Sequence, residues 1–169
     1  QKVVDMAFAG GLAREDHIFK ALALGAPFTK LICMGRSLMI PAFLGSNIEG
    51  VLRPDNKEKV FGHWEKLPSS VTEKGTRAEE IFAGYYDVQK IVGVNEMGKI
   101  PYGAIAAFTL ADKLSTGLQQ LLAGARKFNV SAITRDDIFA GNQETAKVTG
   151  VPFMLDVDDE KALAILKRA

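Results

Sequence analysis

Two glycine-bearing sites early in the chain have the residue types and placement to hold a phosphate. The apolar run Val3-Val4-Asp5-Met6-Ala7-Phe8-Ala9 ends in Gly10-Gly11, and after an amphipathic stretch a second apolar run ends in Met34-Gly35-Arg36. Without a Cβ, glycine takes φ values closed to other residues and lets backbone N–H groups approach phosphate oxygens. Arg36 adds a backbone N–H, a guanidinium, or an ion pair at the rim. Each glycine site read alone is equally a tight turn. Their recurrence at the ends of consecutive strands favours the phosphate. The expected ligand is a phosphorylated cofactor or substrate, with Gly10, Gly11, Gly35 and Arg36 as its candidate contacts.

Other residues with chemical potential read as structural. Cys33 lies in an apolar strand and is expected to be a buried small hydrophobe. It is the only cysteine, which removes disulfides, zinc-finger spacing and a self-contained iron–sulfur motif. His17 and His63 read as surface residues and Arg14 as a solvated helix-start residue. Trp64 reads as an anchor for its polar surroundings and Gln119-Gln120 as polar surface. No catalytic residue is assignable.

Positioning such a phosphate site takes a strand, a helix and a second strand. Residues 3–9 read as a buried strand and 13–24 as a helix, with Ile18, Ala21, Leu22 and Gly25 on one face and Glu15 and Asp16 in its first turn. Gly25 ends it and Pro27 prevents resumption. Phe28 to Met34 reads as a parallel strand covered on both faces, joined by a right-handed crossover. These are the last two strand-helix units of a (β/α)₈ barrel, whose phosphate grip is built in this way. The chain opens on them with Gln1 and not Met, so six preceding units are expected in a larger protein, since a complete barrel needs about 250 residues.

Three segments follow: residues 1–44 as barrel units, 45–76 as an irregular connection with one short helix near Trp64, and 77–169 as a helical extension. Ser37 to Phe43 reads as a helix entry or an apolar closing loop. Ala78, Ile81, Phe82 and Tyr85 share a helical face. A long helix from about Gly103 to Phe128 carries an apolar stripe of Leu110, Leu114, Leu118, Leu121, Leu122 and Ala125, facing core or an oligomer contact. Thr134 reads as an N-cap, Val151 to Leu155 as a short strand, and the acidic residues from Asp156 as the cap of a last helix with Ala162, Ile165 and Leu166 inward.

Composition bounds the rest. The chain has 169 residues, 47% hydrophobic and 24% charged, with a net charge of +1. Cations and acids are interspersed, so there is no case for nucleic acid or an acidic membrane. The longest uncharged runs are broken by Pro41 and Pro101 and do not reach membrane-spanning length. A reducing cytoplasm is the expected compartment.

Ala9-Gly10-Gly11-Leu12-Ala13-Arg14, Phe19 to Ala26 and Cys33-Met34-Gly35-Arg36 resemble the last two barrel strands of FMN-dependent oxidoreductases, and among them the FMN-binding domain of the glutamate synthase family. Asp112 to Gly124 and Ile133 to Ile138 resemble the C-terminal helices after that barrel. Two departures stand out. The family's glycine pair usually follows an Asp, where this chain has Phe8-Ala9. Its three cluster-holding cysteines follow the last strand, where this chain reads Ser37 to Gly45 without cysteine, so these residues cannot build an iron–sulfur cluster.

The resemblance implies FMN, its phosphate held by the backbone N–H groups of Gly10, Gly11, Gly35 and Arg36. It further implies flavin-mediated electron transfer that forms glutamate from a 2-oxoglutarate-derived iminoglutarate. The implied partners are the small-molecule substrate, the rest of the barrel, an electron-donor subunit and further copies in an oligomer. Two other functions fit the same residues: a flavin-free isomerase or lyase gripping a substrate phosphate, and a non-catalytic structural segment of a complex.

Overall fold

Strand β1 (Met6–Ala9) and strand β2 (Thr29–Cys33) pair in parallel around helix α1 (Glu15–Leu24) in a computed structural model that describes residues 4–60 and 62–167. The register sets Ala9 opposite Cys33, so the chain leaves both strands from the same end of the sheet. The expected start of the first strand at Val3 lies outside the described residues. Arg14 is extended at φ −140°, which delays α1 to Glu15. Gly25 stops it, its N–H donating to Ala21 at 3.1 Å.

The protein is a mixed α/β chain with this small parallel sheet and helices throughout the remainder. Helix α2 spans Arg36–Leu52, followed by a 3₁₀ turn at Pro54–Asn56. Four short helices come next: α3 (Ser69–Thr72), α4 (Ala78–Ile81), α5 (Tyr85–Val92) and α6 (Val94–Met97). Helix α7 runs Tyr102–Gly124, α8 Gln143–Thr149 and α9 Met154–Leu166. Among the described residues no helix is long and apolar enough to cross a membrane.

Two compact units partition the chain. Unit 1 gathers the described residues up to Ala9, Arg14–Cys33, and those from Leu118 on; unit 2 is Gly10–Ala13 with Met34–Gly117. Unit 1's core is small: Phe19 and Ala23 of α1 meet Leu122 of α7 and Ile133. The buried face of α1 therefore includes Ala21 and Leu22 of the expected set but turns toward Phe19 and Ala23, leaving Ile18 and Gly25 half-buried. Unit 2 has the larger core, with Ile48 of α2, Val71, Ala78, Phe82, Val88, Met97, Tyr102, Ile105 and Ala106. Phe82 meets Tyr102 edge-on with ring centroids 5.5 Å apart.

Several local expectations change. The strands are not covered: Met6, Phe8 and Leu31 are 46%, 47% and 65% exposed, and Cys33 is exposed rather than buried. A two-stranded sheet offers too few neighbours to shield its apolar side chains. Of the two readings of the stretch after Arg36, the helix entry holds and the loop does not: α2 begins at Arg36, continues through Pro41 to Leu52 and absorbs the start of the expected connection. Pro41 cannot donate to the carbonyl one turn back, yet tertiary burial of Gly45, Ile48 and Gly50 maintains the helix. Trp64 lies outside any helix, the short helix of this region being α3. It still packs against the unit 2 core, as an anchor would.

Farther on, α4 stops at Ile81, so the Ala78-to-Tyr85 face is split between two helices. Helix α7 buries Leu114 and Leu122 and half-buries Leu110, Leu118 and Ala125 of the expected stripe; Leu121 is on its edge. It ends at Gly124, four residues early, because Arg126 turns to φ 55° and Lys127 N–H reaches back to the Leu122 carbonyl at 2.8 Å. Thr134 caps only a 3₁₀ turn, Arg135–Asp137. Val151 to Leu155 forms no strand, contributing one parallel bridge between Ala140 and Phe153 before α9 begins. Ala162 and Leu166 are exposed; the side chain of Ile165 lies outside the described residues.

Candidate functional site

All four sequence-derived candidates fall in unit 2. Gly10 has φ +111° and Gly11 φ +69°, values that L side chains rarely adopt, so this turn requires glycine for its backbone alone. A Cβ at either position would meet nothing within 4 Å, leaving the turn open on its outer side. Gly35 is the N-cap of α2 and Arg36 its first residue. All four are exposed.

One hydrogen bond ties the two halves together. Ser37 Oγ, in the first turn of α2, donates to the Leu12 carbonyl at 2.9 Å, fastening the glycine turn to the helix start. The first backbone N–H groups of a helix have no intrahelical acceptors and carry the positive end of its dipole. No acidic residue occupies the first turn of α2, and Arg36 makes no ion pair among the described residues. This places positive potential, free N–H donors and an uncommitted guanidinium beside a turn with open outer space. The donor set suits a phosphate monoester: peptide donors approach closely and arginine adds a bidentate option. Ser37 is not among the sequence-derived candidates, because its hydroxyl is indistinguishable in sequence from that of any surface serine.

The strongest buried polar cluster of unit 2 went unread. Glu49 of α2 is 3% exposed. Its carboxylate accepts from the Tyr102 N–H at 2.8 Å, Asn56 Nδ2 at 3.0 Å and Arg53 Nη1 at 3.3 Å. Arg53 also donates to the Ile100 carbonyl at 3.2 Å and lies 4.2 Å from the centroid of the Tyr102 ring. Burial pushes the Tyr102 hydroxyl above its ordinary pKa, partly offset by Arg53. With its acceptors filled by helix-start and side-chain donors, Glu49 caps α7 and locks it to α2. Its signal in sequence is an acid set between Ile48 and Gly50, four residues before Arg53.

Unit 1 contains a second polar cluster. Asp137 accepts from Lys127 Nζ and from the Thr134 N–H, the latter at 2.7 Å. Burial pushes its carboxyl up, but the Lys127 and Thr134 hydrogen bonds outweigh it, and the net pKa is lowered. The Arg135 guanidinium bridges the Leu24 and Thr149 carbonyls, joining the C-terminal ends of α1 and α8. His63 is exposed and its backbone N–H donates to Asn47 Oδ1 at 2.9 Å. Among the described residues no three His, Cys, Asp or Glu side chains converge as a metal site.

Compared with protein-family models, curated proteins and solved structures, the chain matches none.

Proposed function

We propose that Gly10, Gly11, Gly35 and Arg36 hold the phosphate of FMN, and that the chain is the end of an FMN-binding (β/α)₈ barrel of the glutamate synthase type. The observation that carries this reading is the positive-φ glycine pair hydrogen-bonded, through Leu12 and Ser37, to the N-terminus of α2. A phosphate there would meet peptide N–H donors from the turn and the helix start, with Arg36 beside them. When bound, FMN supplies the electron transfer that reduces an iminoglutarate to glutamate. This chain's contribution is to grip and orient its phosphate. The substrate, electron donor, remaining barrel strands, oligomeric assembly and cytoplasmic setting belong to the same proposal.

The exposed sheet supports the barrel part. Parallel strands are ordinarily covered on both faces, whereas β1 and β2 present Met6, Phe8 and Leu31 to solvent and keep open edges. Further barrel strands would pair those edges and cover those side chains. No iron–sulfur cluster is assigned to this segment, because ligation needs about three or four thiolates and Cys33 is alone in the chain.

The test is the visible absorption of the intact protein, with the remaining barrel strands present, and of its Gly11→Val variant. Flavin bands are expected in the parent protein. Valine cannot take φ +69° without strain, so the variant should fold but lose most of its flavin. A colourless parent protein would favour the flavin-free isomerase or lyase. A folded Gly11→Val protein with full flavin content would sink the phosphate assignment.

A further inference from the structure

Unit 2 contains a concave basin of about 670 Å³ that the phosphate reading does not use. Its walls come from five places: Leu44 and Ile48 of α2, Trp64 in the following segment, Val71 of α3, Phe82 after α4, and Leu110 of α7. The size falls within the range of small-molecule sites, and the lining is mostly apolar as such sites are. Walls on several sides make a basin rather than the straight trench that a partner helix would need.

Two cations stand at its rim. Lys74 and Lys113 line the basin, are exposed, and make no ion pair among the described residues. Long lysine side chains lay their stems along apolar surface while keeping the ammonium group in water. No Asp or Glu lines the basin. An apolar interior with two uncompensated positive charges at the opening is complementary to a molecule with an apolar body and an anionic head.

We propose that this basin binds an amphipathic carboxylate, its apolar chain between Leu44, Ile48, Trp64 and Phe82 and its head between Lys74 and Lys113. The site is independent of the flavin: it shares no residue with the glycine turn.

Trp64 is the chain's only tryptophan and reports on the basin directly. Titrating the full chain with a terminally brominated dodecanoate, a short-range quencher, should give saturable loss of Trp64 emission, and plain dodecanoate should reverse it by competition. Dodecyltrimethylammonium, with the same chain and the opposite head charge, should bind roughly tenfold more weakly or worse. Lys74→Glu with Lys113→Glu changes two exposed side chains and should leave the melting midpoint in place while weakening dodecanoate by roughly tenfold or more. Lys74→Gln with Lys113→Gln should give a smaller loss and serves if the acidic pair perturbs folding.

Absence of saturable quenching would overturn the proposal. So would equal affinity for the cationic and anionic amphiphiles, which would reduce the basin to an apolar crevice. Quenching unchanged in the glutamine pair would remove the lysines' role and the proposal with it. An acidic amphipathic peptide that binds where dodecanoate does not would assign the basin to a protein partner instead.

Discussion

Glu49 and Asp137 are both carboxylates with filled acceptors, yet they stabilise through different balances. Glu49 is almost wholly buried, so removing it strands the Tyr102 N–H, the Asn56 amide and the Arg53 guanidinium together. Breaking a buried pair from one side costs on the order of 3 kcal/mol. Urea unfolding of Glu49→Ala should show that loss, and Glu49→Gln a smaller one, because its amide oxygen still accepts. Asp137 is argued through pH. Its native pKa is below the unfolded value of about 3.9, so the unfolded chain binds the proton more readily in acid. Its contribution is present above about pH 3.9 and is lost as pH falls through the lowered native value. The urea midpoint should therefore decline with acid below about pH 4, and Asp137→Asn should flatten that decline. Gly10 and Gly11 of the candidate site were legible in sequence because positive φ has a residue-type signature. Glu49 was not, since the local signal, Arg53 four residues on, is shared by any surface ion pair, and the partner that makes it a cap, the Tyr102 N–H, lies 53 positions away.

At the scale of elements, the crossing of α2 and α7 depends on Gly45 and Gly103. A Cβ on Gly45 would fall inside contact distance of the Tyr102 carbonyl and lie 2.8 Å from Gly103 Cα; one on Gly103 would lie 2.8 Å from the Ala42 carbonyl. Two opposing terms act on Gly45→Ala. Intrinsic helix propensity favours alanine by roughly 1 kcal/mol, and overpacking against rigid backbone costs about 1–3 kcal/mol. Because backbone and not a flexible side chain is in the way, the clash should win. A lowered melting midpoint is expected, whereas a raised one would mean the helices separate freely. Periodicity recovered α1, the body of α7 and both strands. It missed how far α2 runs past Pro41, where burial overrides the proline signal, and the end of α7, where arginine occupies the left-handed position that glycine usually takes. It also overextended the strand after Val151, because a short apolar run cannot distinguish a strand from one bridge leading into a helix.

The exposed sheet decides behaviour at the scale of the molecule. Open edges beside Phe8 and Leu31 are templates for pairing, so the chain without further strands is expected to self-associate as its concentration rises. Leu31→Lys places a charge on the 65%-exposed residue and should suppress that association by light scattering, with little change in melting. If the barrel reading holds, the same substitution in the longer protein should impair assembly, because Leu31 would then be covered. How the segments regroup in space is invisible to a linear reading, and it has a temporal consequence during synthesis. Apart from Gly10–Ala13, unit 2 is one continuous stretch, Met34–Gly117, while unit 1 joins strand and helix residues near the start to residues beyond Leu118. A ribosome therefore finishes the larger core before the smaller one has its last components. Helix α1 must wait for its core partners, because Phe19 and Ala23 pack against Leu122 and Ile133, which emerge about a hundred residues later. Protection from hydrogen exchange on a stalled nascent chain should accordingly rise at Ile48 and Ile105 before Phe19 and Ala23.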